Sequence, residues 1–250
     1  MSESAFPVEA SPASAAPFTV GGALNETFRI WTNNLVTFAL VGLPGLALAL
    51  TGPDPMAVVN RRAGRPPPLD SFGHLAAVIV VGILVQAVYP LLTAKAATGG
   101  KATIADAIPA LRAALPFFVT LLVTWILIGI GTLFLLIPGF ILALRWALVG
   151  PVAILESNAA PRARSRNLLR DHQGTFILFG LSMALVFLAM WGVSIGVRTA
   201  LGPLAGQVVM SAISSFISAP IFSIGLTVVY LQLKRFKEGG DTAALAQVFQ

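Results

Sequence analysis

The chain contains no cysteine, and charged side chains are scarce throughout it. Only 10% of its 250 residues are Asp, Glu, Lys or Arg, whereas a soluble domain carries roughly 25%. The missing cysteines exclude disulfide bonds and thiolate metal sites, and two isolated histidines, His74 and His172, do not make a metal centre. Too few polar residues remain to cover a globule in water, so the composition favours a protein that lies inside a lipid bilayer.

Apolar residues are abundant instead, at 56% of the chain, and they come in long blocks. Crossing the hydrocarbon core takes about 20 helical residues, whereas the strands of a membrane barrel are about 10 residues long and alternate in polarity. The block 113–155 would extend roughly 65 Å as a single helix, so it must reverse, and Pro138 with Gly139 is the expected turn. The sequence therefore predicts an all-α polytopic membrane protein with six transmembrane helices, at 35–52, 74–94, 114–136, 139–156, 175–197 and 207–232.

The basic residues are distributed unevenly between the two ends of these spans. The end with both termini carries Arg29, Lys95, Lys101, Arg112, Arg162, Arg164, Arg166, Arg170, Lys234, Arg235 and Lys237. The other end carries Arg61, Arg62, Arg65 and Arg198. Cytoplasmic loops accumulate Lys and Arg, so we predict a multi-pass protein of the bacterial inner membrane with cytoplasmic termini, and we attribute the net charge of +6 to topology and not to nucleic-acid binding. These clusters would attract anionic headgroups by about 1 kcal/mol per residue; the alternative is that they only set the topology.

Short amphipathic segments precede spans 1, 3 and 5. Before span 1, apolar residues recur at helical spacing between positions 20 and 35, as in a helix that lies in the membrane interface. Before span 3, Thr103 and Asp106 resemble a capping box, and Pro109 is expected to delay or kink the helix. Before span 5, the segment 162–170 places arginines on one helical face. We interpret the chain as three copies of one unit, which consists of an interfacial helix, a span out and a span back.

The remaining segments are polar or rich in turn-forming residues. Residues 1–17 lack the basic start and apolar core of a secretory signal and are predicted to form a disordered tail. Residues 18–236 form the transmembrane domain, and 237–250 form a short cytoplasmic tail in which 243–249 could make a surface helix. The segment 53–73 contains clustered prolines and is expected to be an extended loop.

Four stretches resemble a known bacterial family. They are ALNETFRIW at 23–31, RWALVGPVAILE at 145–156, ARSRNLLR at 163–170 and YLQLKRFKEG at 230–239. The family comprises polytopic proteins related to the membrane domain of some glycerophosphodiester phosphodiesterases. The resemblance extends over most of residues 18–240 and implies a helical membrane domain. In that family a soluble catalytic domain can follow, and none is expected here because the last span ends near the end of the chain.

Arg145 lies in the middle of a predicted span. A charge there costs from about 2.5 kcal/mol to much more, and Glu156 is about 16 Å further along the helix, too far for direct pairing. In a structural interpretation, Arg145 bonds to neutral groups or extends outwards and locks the bundle; in a functional one, it binds a lipid phosphate or an anionic solute. The candidate neutral partners are Gln86, Ser211, Ser214, Ser215 and Ser218. The further candidates for anion or lipid contact are Arg162, Arg166 and Arg170.

The serines of the sixth span also suit close helix packing or a polar pathway. No residues that could carry catalysis stand out, because the spans contain no Ser-His-Asp set, no paired carboxylates and no Walker-type loop. We therefore expect no enzyme, no metal and no cofactor. The first hypothesis is a scaffold or accessory subunit that binds lipid or a membrane protein partner, including a second copy of itself. The alternative is a transporter or channel for a small anionic or lipid-like solute that uses Arg145. The third is a lipid enzyme with only Arg145 to bind a phosphate.

Overall fold

The computed structural model of the chain describes residues 18–51, 69–109, 114–156 and 160–238. These residues form helices connected by turns, with no strand among them. In chain order the helices are α1 (Val20–Asn33), α2 (Leu35–Thr51), α3 (Leu69–Ala97), α4 (Ala114–Phe134), α5 (Leu136–Arg145), α6 (Val149–Leu155), α7 (Pro161–Leu169), α8 (Gln173–Leu201), α9 (Pro203–Ile213) and α10 (Ala219–Glu238), with a 3₁₀ turn at Ile104–Ala107 and a π-helical turn at Ser214–Ser218.

Five helical segments are long and apolar enough to cross a membrane, and α1 with α2 makes a sixth if this pair, bent by 83°, counts as one span. The five are Ala76–Ala97, Leu115–Phe134, Ile137–Leu155, Gln173–Leu201 and Leu204–Glu238. The all-helical class expected from the composition is therefore confirmed, and the apolar helices indicate a multi-pass membrane protein. α3 begins at Leu69, so the end of the segment predicted as a loop is helical. The predicted tail 1–17, most of that loop and the predicted helix 243–249 lie outside the described residues.

The predicted span 139–156 is broken into two helices, α5 and α6. Pro151 has no N–H and would clash with the carbonyl four residues earlier, so a continuous helix is unfavourable there, whereas the first turn of a new helix tolerates proline. Ser165 of α7 bonds to the backbone groups at the break. Its hydroxyl donates to the carbonyl of Arg145 (2.9 Å), and its oxygen accepts from the N–H of Leu148 (3.2 Å). The side chain of Ser165 therefore holds the break in place.

The segment before the third span differs from the expected amphipathic helix. It forms a 3₁₀ turn in which the Asp106 carboxylate accepts hydrogen bonds from the N–H (2.8 Å) and the hydroxyl (2.6 Å) of Thr103. These are the two residues of the predicted capping box. Ile108 and Pro109 follow in helical conformation, and α4 is described from Ala114. Residues 110–113 lie outside the described part of the chain, so the expected delay or kink at Pro109 stays a prediction.

The π-helical turn of the last span is the point where α1 and α2 approach it most closely. Pro220 has no N–H, so the carbonyl of Phe216 lacks its helical donor, and the indole N–H of Trp31 in α1 donates to that carbonyl instead (3.3 Å). A Cβ atom added to Gly42 of α2 would lie 2.4 Å from the carbonyl oxygen of Ser215. Glycine is therefore required at position 42 for α2 to pack against the turn.

α3 and α10 form the centre of the bundle, where Tyr89 and Tyr230 are fully buried. The share of the span that is buried inside the protein is only 11% for α4 and 17% for α8. It is 39% for the span in α3 and 44% for the span formed by α9 and α10. α4 and α8 therefore present most of their apolar surface to the surroundings, which in a membrane are lipid or another membrane protein.

Candidate functional site

A network of charged and polar side chains ties the end of α6 to α7 and α10. Glu156 is at its centre, with a side chain that is 9% exposed. Arg164 donates two hydrogen bonds to the Glu156 carboxylate (2.9 and 3.0 Å) and also pairs with Glu238. From α10, the hydroxyl of Tyr230 donates to the same carboxylate (2.8 Å), and the Lys234 ammonium lies 3.1 Å from it. One carboxylate therefore joins three helices.

The surroundings of Glu156 favour its charged form. Burial alone would raise the pKa of this carboxyl, but hydrogen bonds from Arg164, Tyr230 and Lys234, together with the charge of Lys234, outweigh burial and lower the pKa to about 2. A general acid or base needs a pKa near the working pH. The network therefore suits a structural tie between helices and not proton transfer.

Three further ion pairs, each between two described residues, lie at the same end of the bundle. They are Lys95–Asp106 (2.6 Å), Lys237–Asp171 (2.8 Å) and Glu26–Arg29 (2.6 Å). The 3₁₀ turn packs on α3, and α1 and α7 both pack on α10. These pairs therefore surround the C-terminal ends of α3 and α10, which we call the basic end of the bundle.

Helix α7 divides its arginines between the interior and the surface. Arg164 belongs to the Glu156 network, and the apolar side of α7 buries Leu168 and Leu169. The three arginines predicted as anion or lipid contacts form no salt bridge with the described residues, and two of them are exposed. The three are Arg162, Arg166 and Arg170. The structure therefore brings them together at the basic end with their charge available.

Arg145 ends α5, and its exposed guanidinium has no hydrogen bond or salt bridge to the described residues. Its carbonyl contacts Ser165, so Arg145 lies beside α7, the helix of the other candidate arginines. None of its five predicted neutral partners bonds to it. Ser218 donates instead to the sulfur of Met190 (3.8 Å), and the other four line a cavity that faces α2. Sequence spacing alone could not show this, because the direction of each helical face depends on packing.

That cavity has a volume of about 330 Å³ and lies between α2, α3 and α9 with the π-helical turn. We call it the serine cavity, after its most frequent polar lining residue. Three glycines, at positions 42, 45 and 82, leave the space for it. No Asp, Glu, Lys, Arg or His is among its described lining residues. Its polar side chains are Gln86, Tyr89, Ser211, Ser214 and Ser215.

The polar groups of the serine cavity have no partner within the described part of the chain. Tyr89 is fully buried, and its hydroxyl makes no hydrogen bond there. The amide of Gln86 and the hydroxyls of the three serines make none either. Several other hydroxyls in the spans donate to the carbonyl four residues earlier, as those of Thr93 (2.7 Å) and Ser194 (3.1 Å) do. The five side chains around the cavity make no such bond and can pair with a molecule that enters it.

A second cavity, of about 290 Å³, lies between α3, α4, α6 and α10. Trp125 and Trp146 line it together with mainly apolar side chains, and we call it the tryptophan cavity. Gln86 lines both cavities. Its backbone carbonyl also lacks a helical donor, because the residue four positions later is Pro90. Arg145 lines neither cavity.

Sequence reasoning did not anticipate the Glu156 network or the position of Tyr89. Glu156 and Tyr230 are 74 positions apart, and no local pattern connects them. The sequence did contain a signal for Tyr89, because a tyrosine in an apolar span needs a hydrogen-bond partner for its hydroxyl. Among the described residues, no group of three His, Asp or Glu side chains could hold a metal ion.

Comparisons with protein-family models, with curated proteins and with solved structures find no match. The resemblance to the phosphodiesterase membrane domain therefore rests on the four quoted stretches alone. The function has to be inferred from the basic end and the two cavities.

Proposed function

We propose that this protein is a non-enzymatic, multi-pass protein of the bacterial inner membrane, with six spans and both termini in the cytoplasm. Its role is that of a scaffold or accessory subunit that holds anionic lipid at its cytoplasmic face. The observation that carries the proposal is the arrangement of α7. Arg164 fixes this helix to Glu156, while its neighbours Arg162, Arg166 and Arg170 form no salt bridge with the described residues.

The position of the basic end supports the proposed orientation. Basic residues occupy the last turns of α3 and α10, and basic residues concentrate on the cytoplasmic side of membrane proteins. The amphipathic helix α1 packs on α10, and its Glu26 lies near Arg235 at this end. α1 and α7 then form one cytoplasmic layer at headgroup level.

The strength of the lipid contact follows from three charges. Each Lys or Arg near an anionic surface contributes about 1 kcal/mol, so the three arginines together contribute about 3 kcal/mol, or roughly a hundredfold in affinity. Arg145 adds a fourth charge to the same region. Its backbone carbonyl accepts a hydrogen bond from Ser165, which lies in the middle of α7.

The experiment is native mass spectrometry of the protein extracted in mild detergent from membranes that contain phosphatidylglycerol and phosphatidylethanolamine. We expect retained phosphatidylglycerol to fall at least tenfold when Arg162, Arg166 and Arg170 are all changed to Gln. The matched control changes Arg61, Arg62 and Arg65 to Gln, which removes the same charge from the opposite end. The proposal is wrong if the two triple variants retain equal amounts of phosphatidylglycerol.

The second candidate function is a transporter or channel for a small or lipid-like solute. Its support is that the two cavities share Gln86 as a lining residue. Because Arg145 lines neither cavity, we expect Gln86→Leu to reduce solute flux in proteoliposomes and Arg145→Leu to leave it unchanged. Equal flux in the wild type and in Gln86→Leu would remove this candidate.

A further inference from the structure

We infer that the serine cavity binds a small uncharged molecule that carries hydroxyl or amide groups. This site is separate from the proposed lipid contact, because the arginines of α7 do not line it. Its lining residues in α2 lie between Gly42 and Ala49, and those in α3 lie between Val78 and Tyr89. Within the described chain, the buried hydroxyl of Tyr89 lacks the partner that buried polar groups usually have, and the four other polar side chains of the cavity make no hydrogen bond either.

The kind of ligand follows from what the lining residues can donate and accept. A serine hydroxyl both donates and accepts, as does the tyrosine hydroxyl, and the amide of Gln86 offers two donors and one acceptor. Hydrocarbon in the cavity would leave all of these groups unpaired, which is costly. A hydroxyl or amide group in the ligand satisfies them.

The absence of charge in the described lining selects against ions. An ion entering the cavity would lose its hydration and find no opposite charge, and such a transfer is strongly unfavourable. The volume of about 330 Å³ equals on the order of ten waters at about 30 Å³ each. A polyol or a small amide of a few heavy atoms fits this space together with some of that water.

The geometry at Gln86 adds a further acceptor for the ligand. Its backbone carbonyl has no helical donor because of Pro90. The phenol of Tyr89, the residue directly before that proline, lines the cavity and has no partner among the described residues. A ligand at this end of the cavity therefore meets donors and acceptors that helix formation has left unused.

The test is saturation-transfer NMR of the purified protein in detergent, with erythritol and urea as probes and acetate as the charged comparison. We expect saturable binding of at least one neutral probe and none of acetate. Gly82→Leu adds a large side chain at a position that lines the cavity, where a Cβ meets nothing within 4 Å, and it should weaken binding at least tenfold. Gly129→Leu is the control, because position 129 in α4 is equally open but lines neither cavity.

A second variant tests the polar groups without filling the space. Ser211→Ala combined with Ser215→Ala should weaken binding about tenfold, which corresponds to the loss of two neutral hydrogen bonds. If Gly82→Leu does not fold, the double serine variant alone tests whether the serine cavity binds the neutral probe. Absence of saturable binding to the wild type, equal binding of acetate, or unchanged affinity in the double serine variant would each overturn the inference.

Discussion

Replacing Glu156 with Gln should destabilise the fold at neutral pH and remove a pH dependence that the wild type has. The change keeps the size of the side chain and removes its charge. The carboxylate accepts hydrogen bonds from Arg164 and Tyr230 and pairs with Lys234, and its side chain is 9% exposed. Removing one member of such a group leaves the others without compensation.

The expected loss can be estimated from the pKa of Glu156. A fall from 4.5 to about 2 corresponds to an upper limit of about 3.5 kcal/mol, at about 1.4 kcal/mol per pKa unit. Arg164 and Lys234 are each 26% exposed, and Arg164 keeps Glu238 as a partner, so solvent reduces the effect. We expect Glu156→Gln to cost about 2 kcal/mol at pH 7.

The direction of the pH effect follows from the lowered pKa. The stabilisation is fully present above about pH 4.5 and is lost as the pH falls towards 2, because the unfolded state takes up the proton first. Wild-type unfolding by SDS in mixed micelles, followed by tryptophan fluorescence, should therefore show a decline in this range that Glu156→Gln lacks.

A matched control separates this effect from a general loss of negative charge. Asp171→Asn breaks the pair with Lys237, in which the Asp171 side chain is 67% exposed, and it should leave stability nearly unchanged because water screens such a pair. Our account of the network is refuted if the two variants lose equal stability at pH 7, or if Glu156→Gln keeps the wild-type decline between pH 4.5 and 2.

Three further substitutions test other contacts. Gly42→Ala places a methyl group against a backbone carbonyl and should lower stability by about 1–3 kcal/mol. A Cβ at Gly45 would lie 3.7 Å from its nearest neighbouring atom, so Gly45→Ala should be nearly neutral. Thermal unfolding in detergent compares the two variants. Ser165→Ala removes both hydrogen bonds at the break between α5 and α6 and should lower the free energy of unfolding by about 1–3 kcal/mol, measured by SDS titration. The loss should exceed that of Ser182→Ala, whose hydroxyl bonds only within its own helix. Tyr89→Phe deletes an unpartnered hydroxyl and should leave stability without ligand unchanged or raise it by up to about 1 kcal/mol; a loss above that size would show that the hydroxyl is bonded.

Composition and spacing were sufficient for the fold class and for most helix positions. The span predicted at 114–136 is Ala114–Phe134, and that predicted at 175–197 lies within Gln173–Leu201. These predictions succeed because the length of an apolar block is set by the thickness of the bilayer. A kink of this span at Pro151 was expected, but the position of the break directly after Arg145 was not, because it also depends on Ser165 from another helix.

The candidate site was predictable only in part. The arginine spacing identified Arg162, Arg166 and Arg170, because the periodicity of a helix is local. The role of their neighbour Arg164 depends on Glu156 and on α10, which is distant in the sequence. In the same way, the sequence identified the polar residues of the serine cavity but assigned them to the wrong partner, since only packing decides which faces of separate helices meet.

The central claim is that α7 and its arginines face the cytoplasm, and cysteine labelling tests it directly because the chain has no cysteine of its own. Ala163→Cys places a thiol at an exposed position of α7, and Ala63→Cys places one in the segment between the first two spans. An impermeant maleimide should label Ala163→Cys only in inside-out vesicles and Ala63→Cys only in intact spheroplasts. Labelling of Ala163→Cys in spheroplasts would contradict the orientation and, with it, the proposed contact between α7 and cytoplasmic lipid.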